Sequence, residues 1–225
     1  MPGDFSYRGP AASQAQYDLG VLLLEDCEGV NKWAASGTGT DFVNTFDASW
    51  CYFGSKGWKI RTRATTPAVG DVVTVQRVLA YPKEKRLVLR GRVNFSNPAL
   101  IANLVCQFII ADGVRAWQAS IQWTPQTPKV EYFSAAGAFV AMPTLAILIS
   151  TDYWYGYEIH VDLIGMEFLN VVFAGVDVDL SGIGLNDGGA SLAKAVVLGF
   201  TLATDGAASA EVGMDSIYCG AHEQI

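Results

Sequence analysis

The feature that most constrains this chain is its punctuation. From Val21 onward, short runs rich in Val, Ile, Leu, Phe, Tyr and Trp are separated by spacers containing Gly, Pro, Asn or Asp, the residues that supply turn geometry. The runs read as strands cover 21–24, 58–63, 71–79, 86–95, 104–111, 115–124, 130–133, 139–142, 155–164, 168–173, 176–180, 195–203 and 210–219. No stretch carries a 3.6-residue apolar period beyond one turn near 98–103. Some thirteen short strands predict an all-β chain of two stacked antiparallel sheets. A helical bundle and an alternating βαβ fold are excluded. With 51% hydrophobic and 16% charged residues, the chain has the apolar content for one sandwich domain at 21–225. Residues 1–20 are different. They hold Pro, Gly and an Ala/Ser/Gln stretch with spaced Phe5, Tyr7 and Tyr17, and read as an extended N-terminal arm suited to docking on a neighbour.

Charge is divided along the chain. Net charge is −7, yet residues 1–129 hold 14 of the 15 basic residues against 10 acids, and 130–225 hold Lys194 against 12 acids. Ten basic residues fall between Lys56 and Arg92. Strand alternation puts Lys59, Arg61 and Arg63 on one face, and sets Arg86, Arg90 and Arg92 opposite Leu87, Leu89, Val93 and Phe95. If these strands are neighbours, Arg61, Arg63, Arg90 and Arg92 form a basic stripe that an acidic second copy could meet head to tail. An ordinary solvated face is the competing explanation. The overall acidity disfavours nucleic acid as a partner.

The N-terminus lacks a basic segment followed by an apolar one, so no secretory signal is read, and no apolar run is long enough to span a membrane. Cys27, Cys51, Cys106 and Cys219 have no CxxC spacing, and with only His160 and His222 beside them a zinc site is disfavoured. Four reduced thiols in a protein made in a cytoplasm is the plainer expectation. A Cys27–Cys219 bridge would suit first and last strands lying side by side.

Several segments together carry a resemblance. Leu24-Glu25-Asp26-Cys27-Glu28-Gly29 followed by Trp33, then Phe53-Gly54-Ser55-Lys56-Gly57-Trp58-Lys59-Ile60, then Tyr155 to Leu163 with Val176 to Leu180, and finally Met214-Asp215-Ser216-Ile217-Tyr218 are similar in order to the concanavalin A-like jelly rolls. The resemblance spans about Val21 to Cys219 and implies a two-sheet antiparallel jelly-roll β-sandwich. Cys27 departs from it, standing where the family usually has an aromatic residue. The resemblance also implies a structural calcium between Glu28 and Asp215, the positions matching the opening Glu and closing Asp. Six or more oxygens would be needed, mostly from carbonyls, and carboxylates satisfied by the amides of Gly29 or Trp33 are the alternative.

Chemistry is harder to read. Jelly-roll glycosidases carry Glu-x-Asp-x-x-Glu on one strand, a pattern missing here. Glu158, His160 and Asp162 share one strand face and would serve as base, relay or metal trio, although a solvated strand explains them more simply. Asp177 and Asp179 share a face without a second Glu. A serine nucleophile lacks its Gly-x-Ser-x-Gly elbow. Sugar stacking needs aromatic platforms, for which Trp117, Trp123, Trp154 and Tyr155 are the candidates, with Trp58 behind them; Trp117 and Trp123 suit the inner face of a sheet better. The leading expectation is therefore a non-enzymatic virion protein. It resembles the jelly-roll decoration proteins of tailed-phage capsids, with a major capsid protein and its own copies as partners. A carbohydrate-binding module or adhesin holding a glycan comes second, and a glycosidase third.

Overall fold

A computed structural model describes residues 21–143, 145–151, 153–206 and 208–221. Its strands, numbered in chain order, form two sheets. The front sheet runs β13 (Val176–Asp179), β12 (Glu167–Phe173), β11 (Trp154–Asp162), β6 (Arg86–Phe95), β16 (Glu211–Ala221), β4 (Gly57–Arg61) and β3 (Val43–Asp47), with β1 (Val21–Glu25) also on β16. The back sheet runs β10 (Phe139–Ala141), β9 (Lys129–Phe133), β8 (Arg115–Thr124), β7 (Ile101–Asp112), β15 (Lys194–Thr204), β5 (Val72–Ala80) and β2 (Ala34–Gly37), with β14 (Asn186–Ala190) also on β8. Every pairing is antiparallel. The jelly-roll sandwich expected from the sequence is the fold observed.

Three strands escape a reading based on apolar alternation. β2 (Ala34–Gly37) is exposed throughout, β14 (Asn186–Ala190) is nearly so, and β3 (Val43–Asp47) is half-buried. Edge strands of this kind bury no continuous face and leave no period-2 signature. The single turn expected near 98–103 is a 3-10 turn at Pro98–Leu100, with Asn97 accepting from the Ala99 amide. No helix among the described residues is long and apolar enough to cross a membrane. The arm expected at 1–20, with Phe5, Tyr7 and Tyr17, lies outside the described residues.

The inner faces of both sheets meet in one apolar core. Trp33, Trp58 and Phe200 cluster at one place, with ring centroids 4.4 to 5.8 Å apart. Trp123, Tyr157 and Phe173 cluster at another, with Trp123 5.4 Å from Tyr157 and 5.6 Å from Phe173. Between the sheets, Glu25 of β1 meets Arg77 of β5 at 2.8 Å.

The topology also disposes of two expectations. β1 does lie beside β16, but Leu23 is the residue opposite Cys219, and Cys27 comes four residues later. That is roughly 13 Å along the strand, beyond a disulfide's span. All four cysteines are free, and burial pushes the Cys27 and Cys219 thiols well above their usual range. The basic stripe is broken in the same way. Acidic-half β16 separates basic β4 from basic β6, and acidic-half β11 flanks β6 on its other side. Lys59 therefore pairs with Glu211 at 3.2 Å and Arg86 faces Asp162 at 3.8 Å, while Arg63, past the end of β4, binds Asp71 of its own half. The two halves complement each other inside one chain, so their opposite charges do not require a second copy.

Candidate functional site

Three arginines among the described residues are left over from that pairing: Arg61, whose Nε is buried, and the pair Arg90 and Arg92. On β6, Leu89, Val93 and Phe95 are fully buried, so Arg90 and Arg92 leave the opposite, outer face of the front sheet. Neither lies within ion-pair distance of a carboxylate among the described residues. Register places Glu158 of β11 beside Arg90 on one flank and Tyr218 of β16 on the other. The Arg90 guanidinium lies 4.6 Å from the centre of the Tyr218 ring, and that of Arg92 lies 4.9 Å from the Tyr52 ring. Gly156 makes room for Arg92, since a Cβ there would come within 2.9 Å of the guanidinium.

Tyr218 reaches this face because β16 carries a bulge. Ser216 has φ +53, and the register to β6 slips between Asp215 and Tyr218. The extra residue reverses the alternation, so Ile217 and Cys219 join Val212 and Met214 in the core while Tyr218 turns outward. Left-handed backbone at a serine costs on the order of 1–2 kcal/mol. Its amide donates to the Asp215 carboxylate at 2.6 Å, which offsets part of that cost.

Next to the arginines, His160 Nε2 lies 2.9 Å from Glu158 Oε2. That bond, and then the positive charge of Arg90 and Arg92, holds the Glu158 carboxyl below its usual range against the opposing effect of partial burial. Asp162 does not join them: it faces Arg86 and accepts from the Ile164 amide, so the Glu158–His160–Asp162 trio is split. Glu158 contributes stability that is present above its ordinary value of 4.5 and lost as pH falls through its depressed one. We expect Glu158→Gln to narrow the loss of stability on acidification between neutral pH and about pH 3, as read from urea midpoints. An unchanged acid limb would contradict the pairing.

A loop between β3 and β4 completes the face. The Trp50 indole donates to Glu211 at 3.0 Å and packs on Gly213, where a Cβ would lie 2.1 Å from its ring. Tyr52 stands 5.7 Å from Trp154. Two carboxylates anchor the loop, buried Asp215 and exposed Glu28. Asp215, 1% exposed, accepts the amides of Tyr52 and Phe53 at 2.9 and 3.0 Å. Glu28 accepts from the Ser55 amide and hydroxyl and from the Lys56 amide.

These bonds bear on the calcium that the resemblance implies. The carboxylate oxygens of Glu28 and Asp215 face N–H and O–H donors, and amide hydrogens repel a cation. Among the described residues no group of three or more His, Cys, Asp or Glu side chains gathers around a point. The donor set does not fit a calcium ion, which needs six or more oxygens. A chelator is expected to leave the thermal midpoint in place, whereas Asp215→Ala lowers stability by about 1–3 kcal/mol by leaving the part-buried amides of Tyr52, Phe53 and Ser216 without their acceptor. A midpoint that falls with chelator would contradict this.

The remaining aromatic candidates separate cleanly. Trp123 is fully buried, Trp117 packs against the core, and Tyr155 turns inward to stack on Phe173 at 5.6 Å. Those three are not platforms, and Trp154 alone faces outward beside Tyr52. Of the interface candidates, Arg63 is spent on Asp71 and the buried Arg61 Nε has no hydrogen-bond partner among the described residues, while Arg90 and Arg92 belong to the outer face just described. Asp177 and Asp179 sit on the exposed edge strand β13 and hold Asn170 and Ser181. Sequence reasoning missed Tyr52 and Tyr218. The first lies in a loop about a hundred residues from Trp154, and the second is displaced by a bulge that alternation does not reveal.

The fold and this face define a concanavalin A-like jelly-roll sandwich. No family model matches the chain, and no curated protein matches it in sequence. Among solved structures it is similar to an endo-β-1,4-glucuronan lyase from the fungus Trichoderma reesei, at 12% identity over 89% of this chain and 95% of that one, with a TM-score of 0.62. It is also similar to a carbohydrate esterase from the Shiga toxin-encoding bacteriophage phi24B (19% identity, 91% and 98% covered, TM-score 0.60) and to the cellulose-induced protein Cip1 (15% identity, 89% and 97% covered, TM-score 0.58). These likenesses establish the sandwich. They also overturn the expectation of a non-enzyme: two of the three are titled enzymes, so one missing glycosidase motif is no argument against catalysis on this scaffold.

Proposed function

We propose that the outer face of β11, β6 and β16 binds an acidic polysaccharide and cleaves it by β-elimination at a uronate unit. One observation carries the reading: in a chain of net charge −7, Arg90 and Arg92 make no ion pair among the described residues, and Arg90 is flanked by Tyr218 and by Glu158 with its partner His160. A uronate carboxylate matches a guanidinium in bidentate geometry, and neutralising it acidifies the adjacent C5–H. In the proposed step His160 or Tyr218 takes the C5 proton, the C4–O bond to the leaving sugar breaks and a C4=C5 double bond forms. The leaving oxygen receives a proton from the other of the two. Nothing is oxidised or reduced. Glu158 stays ionised and orients His160. The similarity to a glucuronan lyase, at a TM-score of 0.62, supports this choice of chemistry over the glycosidase mechanism.

The virion reading would rest on the arm and on charge contacts between copies. The charges are complemented within the chain, and no described residue singles out a capsid partner, so we prefer the glycan. Polyglucuronate, alginate, polygalacturonate and a neutral β-glucan are the substrates to compare, following the ultraviolet absorbance of the unsaturated uronate. Absorbance rising with one acidic polymer and not with the neutral one supports the proposal. No unsaturated product from any of them overturns the elimination.

A further inference from the structure

We infer that Tyr52 and Trp154, together with the Arg92 guanidinium, form a preformed sugar-stacking subsite beside the reaction centre, and that Asp215 is the positioning residue that holds it in place. The inference rests on the acidic-polysaccharide reading of the same face and deepens it to a preference for oligomers over short fragments.

Tyr52 is 47% exposed, a large share for a tyrosine whose neighbours on both sides are fixed. Its ring stands 5.7 Å from Trp154 at 59° and 4.9 Å from the Arg92 guanidinium. The three thus make an open corner of two π surfaces and one cation, with the amphipathic character that a uronate sugar presents: an apolar ring face and a charged carboxylate. Arg92 follows Arg90 by two residues on the same strand face, so the corner lies about 7 Å from the Arg90–Tyr218 pair. A chain bound at the arginines therefore reaches the corner with its next sugar unit.

Tyr52 comes to the corner from a loop, and that loop is tied to β16 by several hydrogen bonds. The same Asp215 oxygen accepts the amides of Tyr52 and Phe53, its other oxygen accepts the Ser216 amide, and the side chain is almost wholly buried. Trp50 pins the loop a second time on Glu211 and Gly213. The loop's aromatic ring is thereby ordered before any ligand arrives, which lowers the entropic cost of binding. The bulge at Ser216 serves two ends at once: it aims Asp215 at the loop and turns Tyr218 toward the arginines.

The test is calorimetric titration of the full chain with a β-1,4-linked glucuronate dimer and tetramer and with cellotetraose, in a His160→Ala parent that binds without cleaving and in the same parent carrying Tyr52→Ala, Asp215→Ala or Arg90→Ala. Circular dichroism in the aromatic region reports the Tyr52–Trp154 pair in each. We expect the parent to bind the uronate tetramer at least about fivefold more tightly than the dimer. That ratio should fall toward one with Tyr52→Ala and with Asp215→Ala, with the aromatic signal reduced in both. If Asp215→Ala does not fold, Tyr52→Ala decides alone. A tetramer-to-dimer ratio that survives Tyr52→Ala, while Arg90→Ala loses both ligands, overturns the subsite and leaves the acidic reading standing. Cellotetraose bound in a Tyr52-dependent way, with no uronate bound, overturns the acidic reading and keeps a stacking corner. An Asp215→Ala protein that keeps both ratio and signal removes the positioning role.

Discussion

Arg90→Ala is expected to lower affinity for a uronate oligomer by two orders of magnitude or more, and His160→Ala to lower turnover by about 10²–10⁴. The two losses should be of different kinds. Arg90 makes no ion pair among the described residues and offers a charge-assisted bond to the carboxylate, so its removal is read in Kd and KM. His160 sits beside Glu158 at 2.9 Å and moves a proton, so its removal is read in kcat with binding largely kept. Arg90 is exposed, whereas His160 is a buried polar side chain at 8% exposure, so circular dichroism checks that His160→Ala is folded before its turnover is read. Arg90→Lys keeps the charge but not the fork, and an intermediate loss is expected of it. Equal affinity of Arg90→Ala and wild type for the oligomer would remove Arg90 from the site.

The second large effect is on stability. Trp123→Ala should cost about 3–5 kcal/mol, because the indole is fully buried between Tyr157 and Phe173 and no neighbour can fill the space. For a domain of this size that corresponds to a fall in Tm of roughly 10 °C. Trp154→Ala, on the outer face, should cost under about 1 kcal/mol and be felt in ligand binding instead. Denaturant unfolding of the two variants side by side checks the assignment. Equal destabilisation would place Trp154 in the core with Trp123.

How much of this was legible in the sequence depends on the element. The strand at 86–95 could be read residue by residue, since Leu87, Leu89, Val93 and Phe95 on one side and Arg86, Arg90 and Arg92 on the other give an unbroken period of two. The same rule put Ala119, Ile121 and Trp123 on one inner face. It failed at Asp215-Ser216-Ile217, where one extra residue reverses the phase and nothing in the residue types announces it. The closing Asp was visible as a motif, but its partners were not: the amides of Tyr52 and Phe53 come from a loop some 160 residues earlier, brought near by β4 lying beside β16. The charge split was plain in the sequence as well. Its meaning depended on strand order, which sets β6 between β11 and β16 and makes the complementarity internal. Strand order in a sandwich is fixed by contacts distant along the chain, so local pattern could not supply it.

The most direct test of the central claim is one binding comparison: calorimetric titration of the His160→Ala protein, which binds without turnover, with polyglucuronate and with the same polymer after its carboxyl groups have been reduced to alcohols. The site proposed on Arg90 and Arg92 predicts saturable binding of the acidic polymer that weakens with salt, and no measurable binding of the reduced one. Equal binding of both polymers would contradict it, because a face that ignores the carboxylate does not use its arginines to recognise uronate.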